Sequence, residues 1–194
     1  MNFLAHLHLA TLANSSLTGN LMADFVRGDP HAQWPSDIAG GIVLHRRLDA
    51  LTDRLPEVRQ ACALFRAETR RVAPITLDVV WDHFLAKHWT QLHPDESLRQ
   101  FSAGAEREIM LLLPGTPVAF QELNQIMWRE RWLERYAEKA RLQTVLRGMA
   151  QRRPRLYALR DSWHDFVENY SQLEALFFLF YPRLMTQMRQ EKQI

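Results

Sequence analysis

Three pairs of polar residues stand four apart, in strongly apolar surroundings, in the first half of this chain. Asn20 and Asp24 lie among Leu17, Leu21, Met22 and Phe25. His45 and Asp49 lie among Ile42, Val43, Leu44, Leu48 and Leu51. Asp78 and Asp82, with His83 beside them, lie among Leu77, Val79, Val80, Trp81 and Phe84. Residues four apart share one face of a helix. A carboxylate on an apolar face is costly unless it is paired or holds a cation. Imidazole with carboxylate suits manganese, iron or zinc, and carboxylate-rich sets suit magnesium or manganese. Such a set can polarise a phosphoryl group and activate a water. His6 and His8 add two imidazoles in the first apolar segment.

Each residue also has a plainer reading. Asp24 could pair with Arg27, Asp49 with Arg46 or Arg47, and Asp78 could favour the positive end of a helix. The coincidence of three such pairs is what lifts a metal site above these readings. His164-Asp165 is the one literal His-Asp dipeptide, with Asp161 on its face, but no matching His or Asp set stands near it.

The elements that must carry these residues read as helices. Only seven Gly occur, no useful period-2 alternation is present, and the fold class expected is all-α, an irregular multi-helix bundle. Leu4–Leu12 forms a short apolar helix. Ser16 caps a second that stops near Gly28-Asp29-Pro30, and Ser36 caps a third over about 37–53. Pro56 and Pro74 each open a helix, the latter running to Trp89. In the second half, helices cover 97–113, 117–132, 142–149, 154–166 and 171–188, with Pro182 as a kink in the last. Bundles place polar sites in their interior, with ligands from facing helices. Residues 1–194 are expected to form one helical domain whose site comes from about 1–90.

The single cysteine, Cys62, excludes an internal disulfide and reads as a buried thiol. The start lacks a basic, apolar leader, and the most apolar stretch, Leu176–Tyr181, is too short to span a bilayer. A cytoplasmic protein is expected, with no membrane and no nucleic-acid partner. Net charge is +2, yet Lys is confined to Lys87, Lys139 and Lys192, so Arg supplies most of the positive charge. Guanidinium forks suit phosphate and carboxylate.

The blocks Met-Asn-Phe-Leu-Ala-His-Leu-His-Leu-Ala at the start, Gly19-Asn-Leu-Met-Ala-Asp-Phe-Val-Arg-Gly28 and His45-Arg-Arg-Leu-Asp-Ala-Leu-Thr-Asp53 resemble the acyl carrier protein phosphodiesterase family. So do Arg70 to Leu85 and Arg152 to Trp163, so the likeness spans nearly the whole chain. The resemblance implies a divergent branch of the helical His-Asp phosphohydrolases. It also implies hydrolysis of the phosphodiester that links 4′-phosphopantetheine to a serine of acyl carrier protein, with a divalent ion: manganese first, magnesium, iron or cobalt as alternatives. That superfamily's pattern is a His, then a fused His-Asp pair, then a distant Asp; in this chain the fused pair is reversed, as Asp82-His83.

By position, Asp24, His45, Asp49, Asp78, Asp82 and His83 form the expected metal and catalytic set, with His6 and His8 as second choices. An Asp or His takes the proton of water, and His83 is one candidate to protonate the leaving serine. The expected partner is an acidic carrier protein, met by Arg27, Arg46, Arg47, Arg70, Arg71, Arg152 and Arg153, with Arg66 and Arg155 as further candidates. Leu111, Leu112, Met127 and Phe178 are candidates for an acyl groove. Two other functions fit the same residues: a phosphohydrolase acting on nucleotides, and a non-catalytic adaptor for an acidic protein.

Overall fold

The computed structural model describes residues 1–191. Among them are twelve α-helices joined by short 3₁₀ turns, and no strand. The all-α expectation holds.

Two inner helices carry the architecture. Helix α1 (Phe3–Leu12) has Leu4 through Ala10 buried, so it is enclosed on every side. It packs against α2 (Leu17–Met22), α3 (Ser36–Thr52), α5 (Ala73–Lys87) and α12 (Tyr170–Glu191). Helix α5 is nearly as enclosed, with Leu77 and Val79 through Ala86 all buried. Both helices are apolar along most of their length because little of either faces solvent. The main core cluster draws on residues from Met1 to Met188, and a smaller one joins Val72, Leu146, Ala150 and Leu159.

Helix α2 and α3 cross at very short range. A Cβ on Gly19 would stand 2.1 Å from the Ile38 carbonyl oxygen, and one on Gly41 would stand 2.6 Å from that of Ser16. Glycine alone permits this approach. The crossing fixes the 3₁₀ turn Ala23–Phe25, which follows α2, against the middle of α3.

Local signals explain most boundaries. Ser16 accepts from the Gly19 N–H, and Ser97 forms a capping box with Gln100 at the start of α7 (Leu98–Leu112). Pro56 opens α4 (Pro56–Ala63). Several expectations shift: α2 ends at Met22, and the helix expected from Pro154 starts at Leu159. Ser36 is the first residue of α3 and makes no side-chain cap. The helix from Pro74 breaks at His88 before a single turn, α6 (Trp89–Leu92). Arg131, in the left-handed region at φ 52°, divides the expected 117–132 helix into α8 (Val118–Arg129) and α9 (Trp132–Arg135). Helix α10 (Lys139–Arg152) and α11 (Leu159–Glu168) complete the bundle, separated by a 3₁₀ turn at Pro154–Leu156. No helix of the described residues is long and apolar enough to cross a membrane.

Candidate metal centre

His6 on α1 and His45 on α3 stack their rings with centroids 3.7 Å apart and planes 12° from parallel. Both aim Nε2 at Asp49. His6 Nε2 lies 3.0 Å from Asp49 Oδ1, and His45 Nε2 lies 3.3 Å from Asp49 Oδ2. Asp24, on the turn after α2, brings Oδ1 to 3.5 Å from the same His45 nitrogen. One ligand atom each from His6, His45 and Asp49 falls within 4.8 Å of the others. Asp78 joins from α5. The Met1 α-amino group, fully buried, donates to Asp78 Oδ1 at 2.7 Å and to Asp49 Oδ1 at 3.3 Å.

The donor set fits a divalent cation. Ligand atoms about 2.1 Å from one ion stand roughly 3–4 Å from each other. Among the described residues, both His45 ring nitrogens and His6 Nδ1 are buried without a hydrogen-bond partner, and buried polar atoms are rarely left so. Asp24 and Asp49 approach His45 at contact distance, and a cation there would be shared among all of them.

The electrostatics follow from this crowding. Burial pushes the His6 imidazole down to about 4, although Asp49 works against it. Burial also opposes charge on His45, but Asp24 and Asp49 outweigh it and raise that imidazole to about 9. Asp24 is held below the usual carboxylate range by His45. Asp49 is depressed further: burial resists, but His45, His6 and the Met1 amine prevail. Asp78 moves the other way, because burial outweighs the amine beside it.

The structure does not bring Asp82 and His83 into this cluster, and it corrects the expected grouping. Asp82 is fully buried one turn further along α5 and turns both oxygens to α1, accepting from the Leu4 N–H at 2.8 Å and the Ala5 N–H at 2.9 Å. The Asn2 side chain makes no cap at that end of α1, so Asp82 caps the helix from across the core. His83 points elsewhere. Its Nδ1 donates to the Tyr136 carbonyl at 2.8 Å, which leaves Nε2 to accept from the Tyr170 hydroxyl at 2.9 Å. Both nitrogens are occupied, so His83 is not free to act at the cluster. His8 is also remote: its Nδ1 meets the Tyr181 hydroxyl at 2.9 Å, within an aromatic cage of Trp89, His93 and Phe101. Burial sets it to about 3.

His6, a second choice from sequence, stands within the cluster. Its signal was present: an imidazole in a helix with no polar face needs a partner. Asn20 is fully buried against the Gly41 carbonyl, where Nδ2 lies 3.4 Å away. Asp165 is a structural anion, accepting from the Arg66 backbone and guanidinium and from Thr69 Oγ1. Cys62 is half-buried, and burial pushes its thiol up.

The arginines divide in the same way. Arg46 donates to the Val26 and Gly28 carbonyls and ties the 26–28 loop to α3. Arg47 pairs with Glu191. Arg70 donates to the Phe65 carbonyl, and Arg71 to that of Arg155. Arg27, Arg152 and Arg153 are exposed. The acyl-groove candidates sit in different settings. Met127 is fully buried, Leu111 and Leu112 are exposed at the end of α7, and Phe178 packs on His88.

The sequence model of the acyl carrier protein phosphodiesterase family matches residues 1–184. The acyl carrier protein phosphodiesterase of Escherichia coli O6:K15:H31 (strain 536 / UPEC) is 60% identical over 187 residues, covering 96% of this chain and 97% of the relative. That of Enterobacter sp. (strain 638) is 58% identical over 192 residues, or 99% and 100% of the two chains. That of Shigella boydii serotype 18 (strain CDC 3083-94 / BS512) is 59% identical over 187 residues, or 96% and 97%. No solved structure matches the chain. With the whole length matched at this identity, the chain belongs to the acyl carrier protein phosphodiesterase family.

Proposed function

We propose that this protein hydrolyses the phosphodiester joining 4′-phosphopantetheine to a serine of holo-acyl carrier protein, releasing apo-carrier protein and 4′-phosphopantetheine. The observation that carries this reading is the convergence of His6, His45 and Asp49 in a chain whose relatives bear that activity in their names over nearly their full length.

His6, His45 and Asp49 would hold a divalent ion, manganese first, with Asp24 and Asp78 at its edge. When bound, such an ion polarises the phosphodiester and acidifies a water. The chain's own groups divide the remaining work. Asp49 and Asp24 are poor bases, because His45 holds their carboxyls down. Asp78, raised by burial and about two-fifths exposed, is the better acceptor for the proton of the attacking water. Asp24, about three-quarters exposed, opens the cluster to solvent, which can return a proton to the departing serine oxygen. Arg27 is three residues from Asp24 and exposed, whereas Arg46 and Arg47 are engaged elsewhere, so Arg27 is the guanidinium left to face phosphoryl charge.

The test is direct. Purified protein, holo-carrier protein and manganese are incubated, and intact mass is followed with and without a chelator. Loss of the prosthetic group to give apo-carrier, abolished by chelation, is expected. Unchanged holo-carrier, or turnover indifferent to chelation, would overturn the reading.

A further inference from the structure

The notable surface lies at the foot of α5, where two arginine clusters far apart in sequence meet. The Arg70–Val72 turn leads straight into α5, and the Pro154–Leu156 turn joins α10 to α11. They touch through the Arg71 guanidinium, which donates to the Arg155 carbonyl at 2.8 Å. Arg71, Arg152, Arg153 and Arg155 are exposed, and among the described residues none has a carboxylate within salt-bridge reach. Arg47, Arg66, Arg131 and Arg183, by contrast, each pair with a carboxylate. Tyr157 stands 55% exposed beside them, with the Arg160 guanidinium 4.4 Å above its ring.

We propose that this face docks an acidic protein surface and so presents the protein's phosphodiester to the metal centre. The inference rests on the reading that the scissile diester is carried by a protein. Four unpaired guanidinium groups around one turn junction make a compact positive field, which steers and orients an anionic partner. An exposed tyrosine with stacked arginine supplies the rigid contact area that protein interfaces favour. The location also suits delivery. Arg71 precedes Asp78 by seven residues, most of them helical, which sets its turn about 10 Å along α5 from Asp78, at the edge of the cluster. A diester on a flexible arm, borne by a partner seated there, lies within reach of the site.

The test uses R152E/R153E, whose native side chains make no hydrogen bond or ion pair among the described residues, and R107E, an exposed change on α7, as the charge control. Circular dichroism and manganese content establish that all are folded and loaded. On holo-carrier protein the double variant should raise KM about tenfold with kcat within twofold, and should lose most of the wild-type salt dependence of KM. R152K/R153K should restore KM, and R107E should leave it in place. A KM within twofold of wild type in R152E/R153E overturns the inference. So does loss of oligonucleotide binding in that variant with carrier KM intact, which would assign the face to nucleic acid. If wild-type protein turns over no carrier, the proposed function fails separately. Anisotropy of labelled holo-carrier then decides the docking face, by weaker binding to the double variant than to wild type or by equal binding.

Discussion

His6, His45 and Asp49 act as one unit at the residue scale, because each is buried or half-buried and leans on the other two. Alanine at any one of them is expected to abolish stoichiometric manganese binding and to lower turnover by about a hundredfold or more, measured by equilibrium dialysis beside the mass assay. H83Q should behave differently. His83 is occupied by Tyr136 and Tyr170, so the variant should keep its manganese and lose stability instead. Loss of manganese in H83Q with the fold intact would restore His83 to the ligand set. A pH effect follows from His45. Its imidazole moves from 6.5 to about 9 on folding of the metal-free protein, so the native state holds a proton that the unfolded chain releases. That contribution is fully present below about 6.5 and is lost as pH rises through about 9. Chelated protein should therefore melt at progressively lower temperature between these values, and H45Q should flatten the slope. Equal slopes in the two proteins would refute the assignment.

Helices position these residues through contacts that single-helix patterns do not display. Spacing by four, together with the family blocks, made His45–Asp49, Asp24 and Asp78 legible as candidates. The same spacing drew in Asp82, because it shares a face with Asp78, yet one further turn places it beneath α1 rather than beside His45. Which polar residue on an apolar face caps a neighbouring helix is a tertiary matter, set by where that helix begins. Ser16 and Pro56 were legible for the converse reason: the Ser16 cap finds its partner three residues on, and a proline acts where it stands. The α2–α3 crossing was not, since Gly19 and Gly41 matter only against each other's helix. G41A is expected to cost about 1–3 kcal/mol and, by pushing α2 away from α3, to weaken manganese binding through Asp24. Asp82 predicts a similar coupling through α1. D82A leaves two buried N–H groups without an acceptor, at about 1–3 kcal/mol each, and loosens the helix that carries His6. Denaturant melts checked against manganese affinity would separate this from simple destabilisation, because a purely structural loss would leave affinity in the folded fraction unchanged.

The whole molecule is tied together at the cluster. His6 comes from α1, Asp24 from the turn after α2, His45 and Asp49 from α3, and Asp78 from α5, so an ion held by them spans the core rather than one local hairpin. Such binding requires the native arrangement of all four segments and is absent from the unfolded chain, so it stabilises the fold by mass action. At a free concentration a hundred times the dissociation constant the gain is about 2.7 kcal/mol. For a domain of 150–250 residues, roughly 2–4 °C per kcal/mol converts this to a rise in Tm of about 5–11 °C. Calorimetry of chelated and manganese-loaded protein should show that rise as a single shifted transition. A local site would instead stabilise one segment and broaden or split the melt. H45A should abolish the shift, and H83Q should retain it from a lower starting Tm. R152E/R153E should match wild type in both states, because a docking face on the outer turns contributes nothing to the ion's hold on the four inner segments.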